Sequence, residues 1–281
     1  MLELESPAKV NLRLEIVKKR EDGYHEIRTV FQKIDLCDRI RFSLRREKGI
    51  LITTNQAGLP VDQRNLIYRA AKSVFERLGI DGGVAVHLDK KIPIGAGLGG
   101  GSSNAATTLK ALNELLEAGF SREEMVAMGT GIGADVPFFL MERGCALATG
   151  IGERLEKIGL PELWFVLIYP NFEVSTRWAY QNFGLTNRAF QLKIQCLVTP
   201  EEVCGVLMND LEGVVSKRFP QIDQMKEILI SAGALGSLMT GSGPTVFGVF
   251  AEEGQASRAY NEIGNRVKDN GWIALKAHSL P

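Results

Sequence analysis

Residues 93–104 read Pro93-Ile94-Gly95-Ala96-Gly97-Leu98-Gly99-Gly100-Gly101-Ser102-Ser103-Asn104, and the rest of the chain is best read outward from them. Five glycines fall between positions 95 and 101. That density works against any regular element, because glycine loses the most backbone freedom on ordering. Its advantage is close approach: without Cβ atoms, main-chain N–H groups can close on an anion. Helical spacing follows from about Ser102 to Leu116, so the loop runs straight into a helix. The first N–H groups of a helix lack partners, and its dipole favours negative charge. Ser102 and Ser103 add hydroxyl donors at that end. A di- or triphosphate suits this combination.

Two other glycine patterns compete. Gly95-Ala-Gly97-Leu-Gly99-Gly100 satisfies G-x-G-x-x-G, the dinucleotide fingerprint. That motif wants an acidic residue about 20 positions on, ending a second parallel strand. Residues 114–124 instead read as helix and loop. The Walker pattern fails because no lysine follows the glycines.

Upstream, residues 10–17 and 39–44 alternate apolar and polar side chains as half-buried strands do, with the turn signal Asp22-Gly23 between them. Leu66, Ala70, Val74 and Leu78 stand at helical spacing behind a capping Asn65, and Val84, Val86 and Leu88 predict a strand. Downstream, Ser121–Glu124 is a capping box opening a further helix. A buried strand over 163–169 precedes helical patterns near 176–183, 201–210 and 221–232. A strand, the loop Thr240-Gly-Ser-Gly243, a strand at Val246–Phe250, a helix near 255–269 and a strand at Trp272–Ala277 complete the chain. Strands and helices without strict βαβ alternation predict an α+β fold. Gly150, Gly152, Gly159 and Pro161 cluster where a domain boundary is expected, dividing the chain into 1–155 and 156–281.

Composition narrows the function classes. Lys+Arg and Asp+Glu both number 33, so the balance gives no reason to expect nucleic acid or an anionic membrane as partner. The basic run Arg39, Arg41, Arg45, Arg46 and Lys48 alternates with Ile40, Phe42 and Leu44, which predicts a solvated strand face. Cys37, Cys145, Cys196 and Cys204 form no C-x-x-C pair, as expected of reduced thiols in a reducing compartment. The acidic N-terminus does not read as a signal peptide, and no apolar stretch reaches a membrane span, so a cytoplasmic protein is expected.

Other segments carry chemistry only in combination. Lys9 and Asn11 interrupt an apolar strand within Ser6–Leu12, and Asp22–His25 alone is a hairpin turn. Asp135 sits among apolar neighbours in Gly131–Phe139. A buried carboxylate must be paired or hydrogen-bonded, so Asp135 is a structural cap or a site residue. Together Ser6–Leu12, Asp22–His25, Pro93–Ala106, Gly133–Pro137 and Thr240–Gly248, in that order, resemble the GHMP small-molecule kinases over nearly the whole chain.

That resemblance implies a ribosomal-protein-like N-terminal α+β domain and a ferredoxin-like C-terminal α+β domain. It implies ATP with Mg²⁺, with Pro93 to Ser103 along the nucleotide and Asn65 and Leu66 at the adenine. It makes Lys9 and Asp135 the catalytic pair. An ammonium about 4 Å from a developing alkoxide attracts it by about 4 kcal/mol at an effective dielectric of 20. Asp135 would accept the hydroxyl proton or orient it. Ser6–Leu12 with Asp22–His25 points to the branch whose acceptor is a cytidyl-diphosphate methylerythritol. There Tyr24 and Tyr180 would flank the cytosine, His25 would bond its edge, and Asn11 and Thr176 would lie near the acceptor alcohol. No protein ligand of the metal is assigned, and a monomer or weak homodimer is expected. Homoserine or mevalonate kinases, an NAD-dependent oxidoreductase and an RNA-associated binding module are the competing classes.

Overall fold

Alternating side chains set two long strands at the start of the chain, β1 (Leu2–Lys19) and β2 (His25–Leu44). The structure, a computed structural model, describes residues 1–184 and 197–281, so Cys196 lies outside the described residues. The chain divides into two compact units that interleave along the sequence. Met1–Ala8, Leu36–Ile92 and Gly99–Glu142 form one, and Lys9–Asp35, Pro93–Leu98 and Arg143–Pro281 form the other. The first half of the glycine loop therefore belongs to the second unit, and its continuation into the helix belongs to the first.

In the first unit, β3 (Gly49–Thr54), α1 (Leu66–Leu78) and β4 (Gly83–Asp89) make a crossover in which β3 and β4 are parallel. β4 pairs antiparallel with the end of β2, from Arg39 opposite Asp89 to Leu44 opposite Val84. Ile40, Phe42, Ile52, Val84, Val86 and Leu88 are buried, while Arg39, Arg41 and Leu51 stand exposed between them. The basic run is thus a solvated strand face, with Arg39 and Arg41 lying 3.6 and 3.9 Å from Glu5 and Glu3. Leu44, expected on the apolar side, is exposed.

Asn65 caps α1 by accepting from the Ile67 N–H at 2.9 Å, and Gly79 ends it in the left-handed conformation. α1 packs against α2 (Gly100–Leu115), which in turn packs against α3 (Arg122–Ile132) and α4 (Val136–Leu140). The capping box of Ser121 and Glu124 opens α3. α2 begins at Gly100 rather than Ser102, so the glycine run supplies the helix's first turn as well as the loop.

The second unit holds the remaining lengths of β1 and β2 and then β5 (Cys145–Thr149), β6 (Arg154–Lys157), β7 (Trp164–Tyr169), α5 (Thr176–Gln181), α6 (Pro200–Gly205), β8 (Met208–Asn209), α7 (Glu212–Arg218), α8 (Gln221–Ser231), β9 (Gly236–Met239), β10 (Val246–Phe250), α9 (Glu253–Asp269) and β11 (Ile273–His278). β5 pairs antiparallel with β2 and with β6, and β8 pairs parallel with β1 at Arg13 and Leu14. The other sheet runs β11-β7-β10-β9, all antiparallel. With helices between β7 and β9 and between β10 and β11, this is the β-α-β-β-α-β arrangement of a ferredoxin-like domain.

Val166, Ile168, Val246 and Phe250 from that sheet, Met225 and Leu229 from α8, and Ala256, Ile263 and Val267 from α9 belong to one buried cluster. Each large apolar side chain so buried contributes about 1.5–3 kcal/mol. The helical pattern at 201–210 stops at Gly205, and Met208–Asn209 are taken up by β1 instead. Among the described residues, no helix is long and apolar enough to cross a membrane.

Candidate active site

Strand geometry puts Lys9 and Asn11, two residues apart, on the same side of β1. The Lys9 side chain is 4% exposed as part of its residue, an unusual place for an ammonium. Its Nζ donates to Gly97 O at 2.9 Å and to Asn11 Oδ1, and it lies 5.3 Å from the Phe31 ring centroid. Lys9 N also donates to Leu98 O at 3.0 Å, so main chain and side chain both tie β1 to the loop.

Asn11 is fixed in turn. Its Nδ2 donates to Thr29 Oγ1 at 2.8 Å, and its main-chain N donates to Thr240 Oγ1 at 3.0 Å. Thr240 also donates to Asn11 Oδ1 at 3.3 Å. Gly97 has φ +78°, and a Cβ there would sit 2.3 Å from Thr240 O, so only glycine fits. Behind the 240 turn, Asn209 Nδ2 donates to Met239 O at 2.6 Å and Gly241 O at 2.8 Å.

In the first unit, Gly99 stands at the N-cap of α2 with φ +68° and no capping side chain. The helix's first turn is therefore reserved for no protein side-chain acceptor at its cap, as an anion site requires. Leu66 lies beside it: a Cβ on Gly101 would sit 3.5 Å from Leu66 Cδ1. Gly133 is also close, since its Cβ would lie 3.6 Å from Ser102 Oγ. That brings the Gly133–Asp135 segment to the start of α2. Asp135 stands at the N-cap of α4 without capping it through its side chain.

Two expected nucleotide contacts are used internally. Ser103 is fully buried and its hydroxyl accepts from Ser6 Oγ at 2.8 Å, so it faces the interior while Ser102 does not. The Asn65 amide caps α1 and donates to Pro60 O at 2.7 Å, which leaves Leu66 as the apolar surface at that position.

The acceptor-side residues divide. His25 and Tyr180 come together, with ring centroids 5.2 Å apart and planes tilted by 33°. Burial, and then the charge of Lys19, hold the His25 imidazole below its usual pKa, so it is neutral at pH 7. Tyr24 is 61% exposed. Thr176 Oγ1 and Ser242 Oγ share a 2.8 Å hydrogen bond, which joins the start of α5 to the turn after Thr240. Among the described residues no group of three or more His, Cys, Asp and Glu side chains could hold a metal ion.

Sequence reasoning missed Thr29, Thr240 and Asn209 as the supports of Lys9 and Asn11. The one available signal was the glycine turn at 240–243, which marks close backbone approach but not what approaches.

Two family models match the chain: GHMP kinases N terminal domain over residues 65–143 and GHMP kinases C terminal over residues 199–269. Glycine loop, helix and ferredoxin-like sheet thus define a small-molecule kinase of the GHMP class. A solved 4-(cytidine 5'-diphospho)-2C-methyl-D-erythritol kinase superposes at TM-score 0.84 over 100% of both chains, with 35% identity. A homoserine kinase from Cytophaga hutchinsonii, 21% identical, shares the fold at TM-score 0.77 over 99% of this chain and 94% of its own. A 4-diphosphocytidyl-2-C-methyl-D-erythritol kinase of Geobacter sp. (strain M21) is 46% identical over 99% of each chain, and that of Syntrophus aciditrophicus (strain SB) is 45% identical over 100% of each. The chain belongs to the 4-diphosphocytidyl-2-C-methyl-D-erythritol kinase family.

Proposed function

We propose that the chain transfers the terminal phosphoryl group of ATP to the 2-hydroxyl of 4-diphosphocytidyl-2-C-methyl-D-erythritol, a step of non-mevalonate isoprenoid synthesis. The observation that carries this reading is the buried Lys9 ammonium, held on the glycine loop by Gly97 O and braced by Asn11. Full-length relatives of that name support the choice of acceptor. The two family models, on either side of residue 155, support a division into domains 1–155 and 156–281.

The chain's residues fit a nucleoside triphosphate. The α2 N-terminus lacks a capping side chain, glycines bare its amides, and Leu66 offers an apolar surface alongside. Bound ATP would supply the phosphoryl group, and Mg²⁺ would screen the phosphates' charge. The amides of residues 99–102 receive phosphate oxygens. Lys9 stabilises the alkoxide that develops on the acceptor 2-oxygen. Asp135 takes the hydroxyl proton or holds it in line. His25, neutral, bonds the cytosine edge, with Tyr24 and Tyr180 on the ring and Asn11 and Thr176 near the alcohol.

An ADP-release assay run in parallel with the cytidyl-diphosphate acceptor, homoserine and mevalonate tests the reading. Turnover is expected with the first alone. Turnover of homoserine without turnover of the cytidyl acceptor would overturn it.

A further inference from the structure

One buried carboxylate in the first unit has no part in the chemistry above. Asp38 is fully buried in β2. Its Oδ1 accepts from Lys91 N and Ile92 N, both at 2.8 Å, where the chain enters the glycine loop. Its Oδ2 accepts from Asn104 Nδ2 at 2.9 Å, where the chain has left the loop for α2. The same oxygen accepts from Lys90 Nζ at 2.6 Å, and that side chain is 6% exposed.

The network continues along α2. Asn104 Nδ2 also donates to Ser6 Oγ at 2.9 Å, and Ser6 donates to the Ser103 hydroxyl at 2.8 Å. Ser6, Ser103 and Asn104 are all buried. A Cβ on Gly100 would sit 3.0 Å from Lys90 Nζ, so the ammonium is pressed against the helix's first residue. Burial alone drives the Lys90 ammonium toward losing its proton, and Asp38 opposes that.

We propose that Asp38 is a positioning residue for nucleotide binding: it fastens both ends of the glycine loop to one carboxylate and so fixes the first turn of α2 in the geometry that receives phosphates. This rests on the nucleotide reading above. A carboxylate that accepts four donors from two chain segments has little freedom of its own. Loosening either end lets the uncapped amides of residues 99–102 spread, and small misplacements of positioning groups are costly.

A purely structural carboxylate would affect stability while leaving nucleotide affinity alone. The test therefore uses Asp38→Asn and Asn104→Ala in the full chain. It measures calorimetric affinity for a nonhydrolysable ATP analogue with Mg²⁺, affinity for the acceptor alone, and amide hydrogen exchange without nucleotide. Analogue affinity is expected to fall about tenfold in Asp38→Asn and about threefold in Asn104→Ala, with acceptor affinity within about twofold of wild type. Amides at 100–104 should exchange faster while those of β7 do not. Analogue affinity within about twofold of wild type in Asn104→Ala, and in Asp38→Asn if it folds, overturns the proposal. If Asp38→Asn does not fold, Asn104→Ala decides. Wild-type protein that fails to bind the analogue would overturn the nucleotide reading itself, and this inference with it.

Discussion

Lys9 and Lys90 are both buried cations beside the glycine loop, and they are held differently. Lys9 meets a main-chain carbonyl and a side-chain amide, Gly97 and Asn11. Lys90 meets a carboxylate, Asp38, that also takes up two main-chain N–H groups and the Asn104 amide. A cation on a carboxylate spends its field locally, as a clamp. With Lys9 proposed for the chemistry and Asp38 proposed to position the nucleotide loop, the two sides predict different kinetic losses. Variants of the first should lower kcat, and variants of the second should raise KM for ATP.

Asp135→Asn should break the chemistry most, lowering kcat by about 10²–10⁴-fold with ATP affinity little changed. Lys9→Ala should cost about 10²–10³-fold in kcat, again with ATP affinity nearly intact. A matching rise in KM for ATP would move Lys9 to the binding side of the comparison.

Gly97→Ala should lower both Tm and turnover. A side chain at φ +78° would meet Thr240 O, so the loop or the 240 turn must shift. The left-handed backbone alone costs about 1–3 kcal/mol. Thermal melts with kinetics on the same samples test this, and an unchanged Tm would contradict the packing described. Thr240→Val leaves Asn11 N without its acceptor, which costs about 1–3 kcal/mol of stability. Its kcat should fall about tenfold through Asn11 and Lys9, while KM for ATP holds.

The smallest expected effect is on pH dependence. Burial lowers the folded pKa of His25, so as pH falls the unfolded chain takes up this proton first. The stabilising contribution of neutral His25 is present above about pH 6.5 and is lost as pH falls through the lower folded value. Equilibrium urea unfolding of wild type and His25→Gln across that range should show a shallower slope in the variant.

These differences follow from what a linear chain can reveal. The loop was legible because glycines at 95–101 announce a local backbone demand, and Asn65 and the Ser121–Glu124 box were legible because caps act within a few residues. Lys9 and Asn11 stood out as polar positions inside an apolar strand. Their supports did not, since Thr240 is 229 residues from Asn11 and its hydrogen bond leaves no local pattern.

Asp38 is an intermediate case. Strand alternation places it on the face of Ile34, Ile40 and Phe42, all fully buried, so the sequence contained the signal of a buried carboxylate but not its partners. Short elements such as β3, β6 and α7 were missed because four to seven residues carry too little periodicity. The helix expected over 201–210 failed at Gly205, where pairing with β1 outweighed local propensity.

Phosphorus NMR of the reaction mixture tests phosphoryl transfer beside Lys9 most directly, with ATP, Mg²⁺ and the cytidyl-diphosphate acceptor followed on wild type and Lys9→Ala. One new phosphomonoester signal should grow with wild type as ADP forms, the acceptor's diphosphate remaining intact, and Lys9→Ala should form it at least about 10²-fold more slowly. Free phosphate in place of the phosphomonoester, or equal rates from the two proteins, would contradict the account.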